Sequence, residues 1–299
     1  MFLNFINIQV ELIIENPNIK DFFENKYWNQ ISSCNFEPCI KIVLLCDSKL
    51  YSTAQSSLDN TTSINFMGTD ITYNEEKIIF INNDIRTNII QQVSLFLSFV
   101  MQIVLTQHNV FVLHGACIVD KDQGVIIIGN SGAGKSSIVL KEITQYNKKM
   151  ITDDILILTT INEQIIAVKN IHSIGISDED LNRYYPYLKP FLDIPRKNNY
   201  QIKPRINYEK YDKSVYIDKI KAKKIIFLCE KQVKPTIKKI EASQAFKYLV
   251  NSHRHYFKGV INFFDIFTRL VHTCDCYQLN TCNDIEETIN ILNGVLNNQ

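Results

Sequence analysis

Eight consecutive residues in the middle of the chain, Gly129-Asn130-Ser131-Gly132-Ala133-Gly134-Lys135-Ser136, fit the pattern G-x-x-x-x-G-K-[ST]. A loop of this kind holds phosphate. Its glycines let the backbone curl tightly with N–H groups turned inward, and the following helix N-terminus adds partial positive charge where phosphate oxygens sit. Lys135 is then placed to reach the terminal phosphates, the Ser136 hydroxyl to ligate Mg²⁺, and Ser137 to complete the binding set. Three of the chain's nine glycines fall inside this one motif, so a glycine-rich turn without a ligand is the weaker reading. The motif predicts nucleotide binding. It does not by itself separate a kinase from an ATPase, a GTPase or a regulatory binder.

Two further features add chemistry to the loop. Asp153 and Asp154 follow it by fewer than twenty residues, in the otherwise apolar run ITDDILIL. Adjacent strand residues point to opposite faces, so both carboxylates cannot be buried cheaply, and at least one is expected to face a cation. One could hold Mg²⁺ while the other takes the proton of an acceptor hydroxyl; a solvated strand end is the alternative. His114, in FVLHGACIV, lies upstream on the strand that pairs with the one feeding the loop. From there an imidazole could bond a phosphate oxygen or orient an acceptor, although a lone strand histidine also serves structure alone.

The elements that must position these residues are legible in the pattern. Two β-rich runs flank Lys121-Asp122-Gln123-Gly124, which predicts a hairpin delivering its second strand into the loop. A helix is predicted over 134–146, strands over 150–158 and 164–168 with Asn162-Glu163 at their turn, and a further strand over 223–230. Helices over 242–252 and 263–272, a short strand at 277–280 and a closing helix over 285–296 complete this part. Residues 181–210, rich in Tyr, Pro, Asn and basic side chains, read as an extended surface excursion, within which 184–205 is either the place for acceptor recognition or a variable surface loop. Upstream, residues 1–85 read as a small α/β region: strands over 5–14 and 39–46, a helix over 19–31, a loop over 47–60 and a hairpin over 69–82.

The ordered set of LHGACIV, a hairpin, GNSGAGKSS, a helix and ITDDILIL resembles the HPr serine kinase/phosphorylase family, with its phosphoenolpyruvate-carboxykinase-like P-loop fold. The resemblance is concentrated in residues 111–158. It implies an α/β kinase core with a mixed sheet over 86–299, beside the N-terminal α/β region of 1–85. It also implies an active site of His114, Lys135, Ser136, Asp153 and Asp154. Ile155 stands where the family carries arginine, and the glycine-rich signature that follows is reduced to HSIGISDED. Within that family the chain looks most similar to the relatives associated with ribosomal-peptide modification, some of which phosphorylate a peptide serine.

Composition narrows the field. A formal charge of +1 argues against a nucleic-acid or membrane-surface partner, and 45% hydrophobic with 21% charged residues is the balance of a globular protein. The opening MFLNFINIQVELIIEN lacks a basic n-region and reads as structure, so a cytoplasmic location is expected. Residues 89–105 approach the length of a membrane span, but Gln91, Ser94, Ser98 and Gln102 form a polar stripe suited to a helix against a sheet. Eight scattered cysteines without CxxC spacing are expected as reduced thiols, and Ser252-His253-Arg254-His255 lacks partner cysteines for zinc, with Arg254 a candidate phosphate contact. The reading is therefore transfer of a γ-phosphoryl group from Mg-ATP to a hydroxyl, on a serine of a peptide or small protein such as a ribosomal precursor peptide. A small-molecule alcohol as acceptor and a nucleotide-sensing module are the rival readings, and the resemblance implies an oligomer.

Overall fold

The computed structural model describes residues 2–5, 8–14, 31–32, 40–45, 62–66, 69–73 and 77–81, then 109–171, 173–193, 204–253 and 263–297. Two compact units divide at Met1–His108 and Asn109–Gln299, whereas the sequence pattern changes character at 85/86. The helices expected over 19–31 and 89–105 lie outside the described residues, except that Ile31, the expected end of the first, belongs to a strand, Ile31–Ser32.

In the first unit seven strands form one sheet. In chain order they are β1 (Phe2–Phe5), β2 (Ile8–Ile14), β3 (Ile31–Ser32), β4 (Ile40–Leu45), β5 (Thr62–Phe66), β6 (Thr69–Tyr73) and β7 (Lys77–Ile81). Their spatial order is β3-β1-β2-β4-β7-β6-β5, with β2, β4 and β7 parallel at the centre. The single strand expected over 5–14 is a hairpin, because Phe5 pairs with Ile8 and the chain folds back on itself. Alternation of apolar and polar residues looks the same on either side of so short a reversal.

The second unit is built on β8 (Val110–Asp120), β9 (Gln123–Ile128), α1 (Lys135–Gln145), β10 (Lys149–Ile161) and β11 (Gln164–Val168). Between β11 and β14 come β12 (Ile174–Gly175), α2 (Asp178–Tyr184), β13 (Arg205–Ile206) and α3 (Tyr208–Tyr211). It is followed by β14 (Lys219–Lys231), β15 (Thr236–Lys239), α4 (Ala242–His253), α5 (Phe263–Thr273), β16 (Asp275–Thr281) and α6 (Ile285–Asn297). Seven strands form a mixed, mostly antiparallel sheet in the order β11-β10-β8-β9-β14-β16-β15. Only β9–β14 and β14–β16 run parallel. β11 also pairs with the start of β14, Val168 opposite Lys219.

Both tight turns that set this sheet have a local cause. Lys121 and Asp122 adopt φ of 46° and 62°, and Asn162 and Glu163 adopt 48° and 63°, the paired left-handed conformation whose twist matches flanking strands. The β8–β9 turn is thus Lys121-Asp122 alone, and Gln123 and Gly124 already belong to β9. The apolar runs Val125–Ile128 and Ile225–Leu228 are buried throughout, as central strands covered on both faces must be. Over them lies α1, whose Ile138, Leu140 and Ile143 share a core with Ala116, Ile118, Ile127 and Met150 and with Ile289, Leu292 and Leu296 of α6.

Residues 181–210 are less peripheral than their composition implies. Leu181, Tyr185, Leu188, Ile206 and Tyr208 are buried in the same core as α1. Tyrosine hides an apolar ring and keeps a polar tip, so a Tyr-rich segment can be core and still read as surface. Ser177 caps α2 by accepting from the Asp180 amide at 3.0 Å, with Asp178, Glu179 and Asp180 in the first turn. Among the described residues no helix is long and apolar enough to cross a membrane, and Cys117, Cys229, Cys274, Cys276 and Cys282 are free.

Gly129, where β9 ends, presses against β14. A Cβ there would meet Leu228 Cβ at 2.9 Å and the Leu228 carbonyl oxygen at 3.3 Å, so the backbone would have to move. Gly129→Ala should therefore lower stability by roughly 1–3 kcal/mol in denaturant titration, as overpacked core sites do. An unchanged midpoint would mean that the loop is not wedged against β14.

Candidate functional site

From Gly129 the chain leaves the buried β9 and closes a loop before α1. Gly132 and Gly134 hold φ of 83° and 101°, conformations that side-chain-bearing residues rarely adopt, which is why glycine recurs here. Ala133 donates its amide to the Asn130 carbonyl at 3.1 Å, tightening the curl. The N-terminus of α1 then differs from those of α2 and α3. Gly134 offers no side-chain cap and the first turn contains no acid, whereas Ser177 and Asn207 cap the other two helices. An α1 entry with uncapped amides and a favourable dipole suits an anion.

Lys135 is only 7% exposed, and its ammonium is fully engaged. It donates to the Gly129 carbonyl at 2.8 Å and the Asn130 carbonyl at 3.2 Å, and lies 2.9 Å from His114 Nε2. Burial holds its pKa below the usual lysine range, while the charges of Asp154 and Asp153 work the other way.

Asp153 lies on β10 and is only 1% exposed, and the Ser136 hydroxyl and the Lys135 charge both act to lower its pKa. One oxygen, Oδ1, is buried with no hydrogen-bond partner. Such an orphan is costly unless a cation or a polar ligand supplies what the protein does not. Burial pushes the carboxyl up to about 6, and the Asp154 charge adds to this against Ser136, Lys135 and Arg205.

Asp154 breaks the expected alternation. Its φ of 132° is strained for a side-chain-bearing residue, and β10 shifts register against β8 between Met150 and Thr152. Asp154 thereby reaches His114, itself 2.9 Å from the Lys135 ammonium, and the charges of both carboxylates act on that lysine. The kink is tied down by bonds to the Ile155 carbonyl from Thr152 Oγ1 at 3.0 Å and from Asn170 Nδ2 at 2.9 Å. Asp154 Oδ1 lies 3.1 Å from His114 Nδ1, and Oδ2 accepts from Arg205 Nη2 at 3.2 Å. Burial alone would raise its pKa, but His114 and Arg205 outweigh it and hold the group well below the usual carboxylate range.

Arg205 is the residue that sequence reasoning missed. It sits on β13 opposite Gly175 of β12, and its Nη1 donates to the Ser173 carbonyl at 3.3 Å. Asp193 donates its amide to the Arg205 carbonyl at 2.8 Å and receives the Ser173 hydroxyl, fixing the ribbon that carries the guanidinium. A guanidinium thus reaches the acidic pair from another element, although Ile155 follows the pair in sequence. A basic residue inside the short Pro-Arg-Ile-Asn run was the available signal, but nothing local tied it to residues fifty positions upstream.

His114, Lys135, Ser136, Asp153 and Asp154 are thus brought together, whereas the side chains of His253, Arg254 and His255 lie outside the described residues. Among the described residues no group of three or more His, Cys, Asp or Glu is arranged to hold a metal. A depression lined by Gln123, Lys223, His272, Thr273, Cys274 and Asp275 lies at the opposite end of β9 from Gly129, away from these groups.

No protein-family model matches the chain, and no curated protein matches it. Among solved structures the chain is similar to the Hpr(Ser) kinase/phosphatase from Coxiella burnetii, at 14% identity and a TM-score of 0.35, over 62% of this chain and 97% of that one.

The Asp153 environment gives a pH prediction. A carboxyl whose folded pKa of about 6 exceeds its unfolded value of 3.8 stabilises the folded state only when protonated, so this stability is lost as pH rises from about 4 through 6. Asp153→Asn should then be more stable than the parent at pH 8, by about 2–3 kcal/mol. The two melting curves should converge near pH 4, and a parent more stable at pH 8 would contradict the burial cost.

Proposed function

We propose that this chain is a phosphotransferase that moves the γ-phosphoryl group of Mg-ATP to a hydroxyl, that of a serine in a peptide or small protein. The observation that carries the reading is the meeting of Ser136 and the buried, half-orphaned Asp153 at the uncapped entry of α1. An anion suits the amides and Lys135, and a divalent cation suits the two oxygens.

Roles follow from the geometry. Ser136 and Asp153 would hold Mg²⁺, which needs only one or two protein oxygens when phosphates and water complete its shell. Bound there, the ion would offset charge on the transferring phosphoryl group. Lys135 and the loop amides from Gly129 to Ser137 hold the phosphate chain. Asp154, with both oxygens held and its acidity strong, is a weak proton acceptor and better suited to orient His114. Arg205 lies where a guanidinium can meet charge developing on the phosphoryl oxygens. As the acceptor oxygen bonds to phosphorus it gives up its proton to water, the bond to the bridging oxygen breaks and ADP leaves.

A peptide acceptor draws support from the segment that carries Arg205. The stretch from α2 to α3 also holds the exposed rings of Tyr187 and Tyr211, 5.8 Å apart, amphipathic surfaces of the kind that grip extended chains.

Incubation with γ-labelled ATP and candidate serine peptides should add one phosphate, detected as a mass shift. Lys135→Ala should cut turnover about 100-fold or more while circular dichroism stays unchanged. Acceptor-dependent ADP release that survives in Lys135→Ala, Asp153→Ala and Asp154→Ala alike would refute the kinase reading. Nucleotide binding without transfer to any hydroxyl would leave a sensor in its place.

A further inference from the structure

The ammonium of Lys135 has three N–H donors, and three acceptors surround it: the carbonyls of Gly129 and Asn130 and Nε2 of His114. Every donor is in use. A phosphate oxygen can gain one only by taking it from an acceptor already present. The two carbonyls belong to the loop that would wrap the phosphates, so they travel with it, whereas His114 stands on β8, outside the loop. The histidine bond is therefore the one that can be exchanged without unwinding the curl that binds the ligand.

The ring's other side settles its hydrogen-bonding roles. A carboxylate only accepts, so Nδ1 carries the proton that bonds Asp154 Oδ1 at 3.1 Å, and Nε2 presents its lone pair to Lys135. Asp154 is itself held by Arg205 at 3.2 Å, which makes the imidazole a fixed acceptor rather than a wandering one.

We propose that His114 is a latch on Lys135: phosphates and imidazole compete for one ammonium donor, and nucleotide binding frees Nε2 to accept a hydrogen bond from the acceptor's hydroxyl. The inference rests on the phosphotransferase reading of the same site and adds an order of events. While Lys135 points at His114, the imidazole lone pair is occupied and no hydroxyl can dock on it. Once Lys135 turns to the phosphates, the lone pair opens beside them. Acceptor binding is thereby coupled to nucleotide binding through a single side chain, and binding one favours the other. His114 is in this account a positioning residue for the acceptor and a restraint on the nucleotide.

Competition predicts an effect opposite in sign to that of a phosphate contact. Removing a phosphate ligand weakens nucleotide binding; removing a competitor for Lys135 strengthens it. His114 is a partly exposed side chain, so its truncation leaves the core intact. The experiment is calorimetric titration of a non-hydrolysable ATP analogue with Mg²⁺ into the parent, His114→Ala and His114→Gln, with acceptor KM measured alongside. His114→Ala should bind nucleotide about five- to tenfold more tightly, the net scale of one ordinary hydrogen bond, and raise the acceptor KM. His114→Gln, whose amide oxygen can take the place of Nε2, should return both quantities toward the parent. Unchanged or weaker nucleotide binding by His114→Ala overturns the latch while leaving the kinase reading standing. If neither the parent nor His114→Ala binds the analogue, the phosphotransferase reading itself has failed and the latch falls with it.

Discussion

A carboxylate shut away from water, with one oxygen that no hydrogen bond reaches and Ser136 and Lys135 lowering its pKa against burial, is the constraint around which the second unit is organised. Burying Asp153 opposes folding at neutral pH, and few neighbours offset it. Lys135 does so by charge, which requires α1 to begin where β9 ends and its first residue to turn inward. β10 must in turn lie against β8, Asp153 opposite Ala116, so that the acid faces the loop. On its other edge β8 lies close to β9, where a Cβ on Gly115 would come within 3.1 Å of the Ile127 carbonyl. Sheet order, the turn at Lys121-Asp122 and the position of α1 all serve one juxtaposition.

Around that centre runs a chain of polar contacts from Arg205 through Asp154 and His114 to Lys135. It joins β13, the kinked strand β10 and the glycine-rich loop. The strained φ of Asp154, of order 1–3 kcal/mol for such a conformation, turns the carboxylate toward His114 and Arg205. Strain of this kind persists where surrounding bonds over-determine it, and here Thr152 and Asn170 clamp the backbone beside it. The result is a pair of neighbouring carboxylates with opposite character. Asp153 is pushed toward neutrality by burial, and Asp154 is kept charged by its two cationic or donor partners. Dividing two like groups in this way lets one meet a cation while the other orients an imidazole.

Much of the centre was legible from residue types and spacing. The loop motif, the helix after it, the hairpin before it and the acidic strand all use short-range signals: glycine at positive φ, apolar period and paired turn residues. What escaped was non-local. Arg205 reaches Asp154 only because β13 pairs with β12, each two residues long, and no periodicity announces so short a strand. The alternation rule assigned Asp153 and Asp154 to opposite faces, and the left-handed φ of Asp154 itself broke that rule. The buried tyrosines of the excursion were misjudged for a compositional reason, since Tyr185 and Tyr208 lend a core the same letters that a surface loop uses.

The account stands or falls on whether residues 129–136 and Asp153 hold a nucleotide together with a divalent ion. Titration calorimetry of ATP into the parent chain and Asp153→Asn, each with Mg²⁺ and with excess chelator, measures this directly. The account predicts saturable binding by the parent at one nucleotide per chain, weakened by chelation, and an Asp153→Asn variant in which Mg²⁺ no longer helps. Equal affinity with and without Mg²⁺ in the parent, or no binding at all, would contradict it.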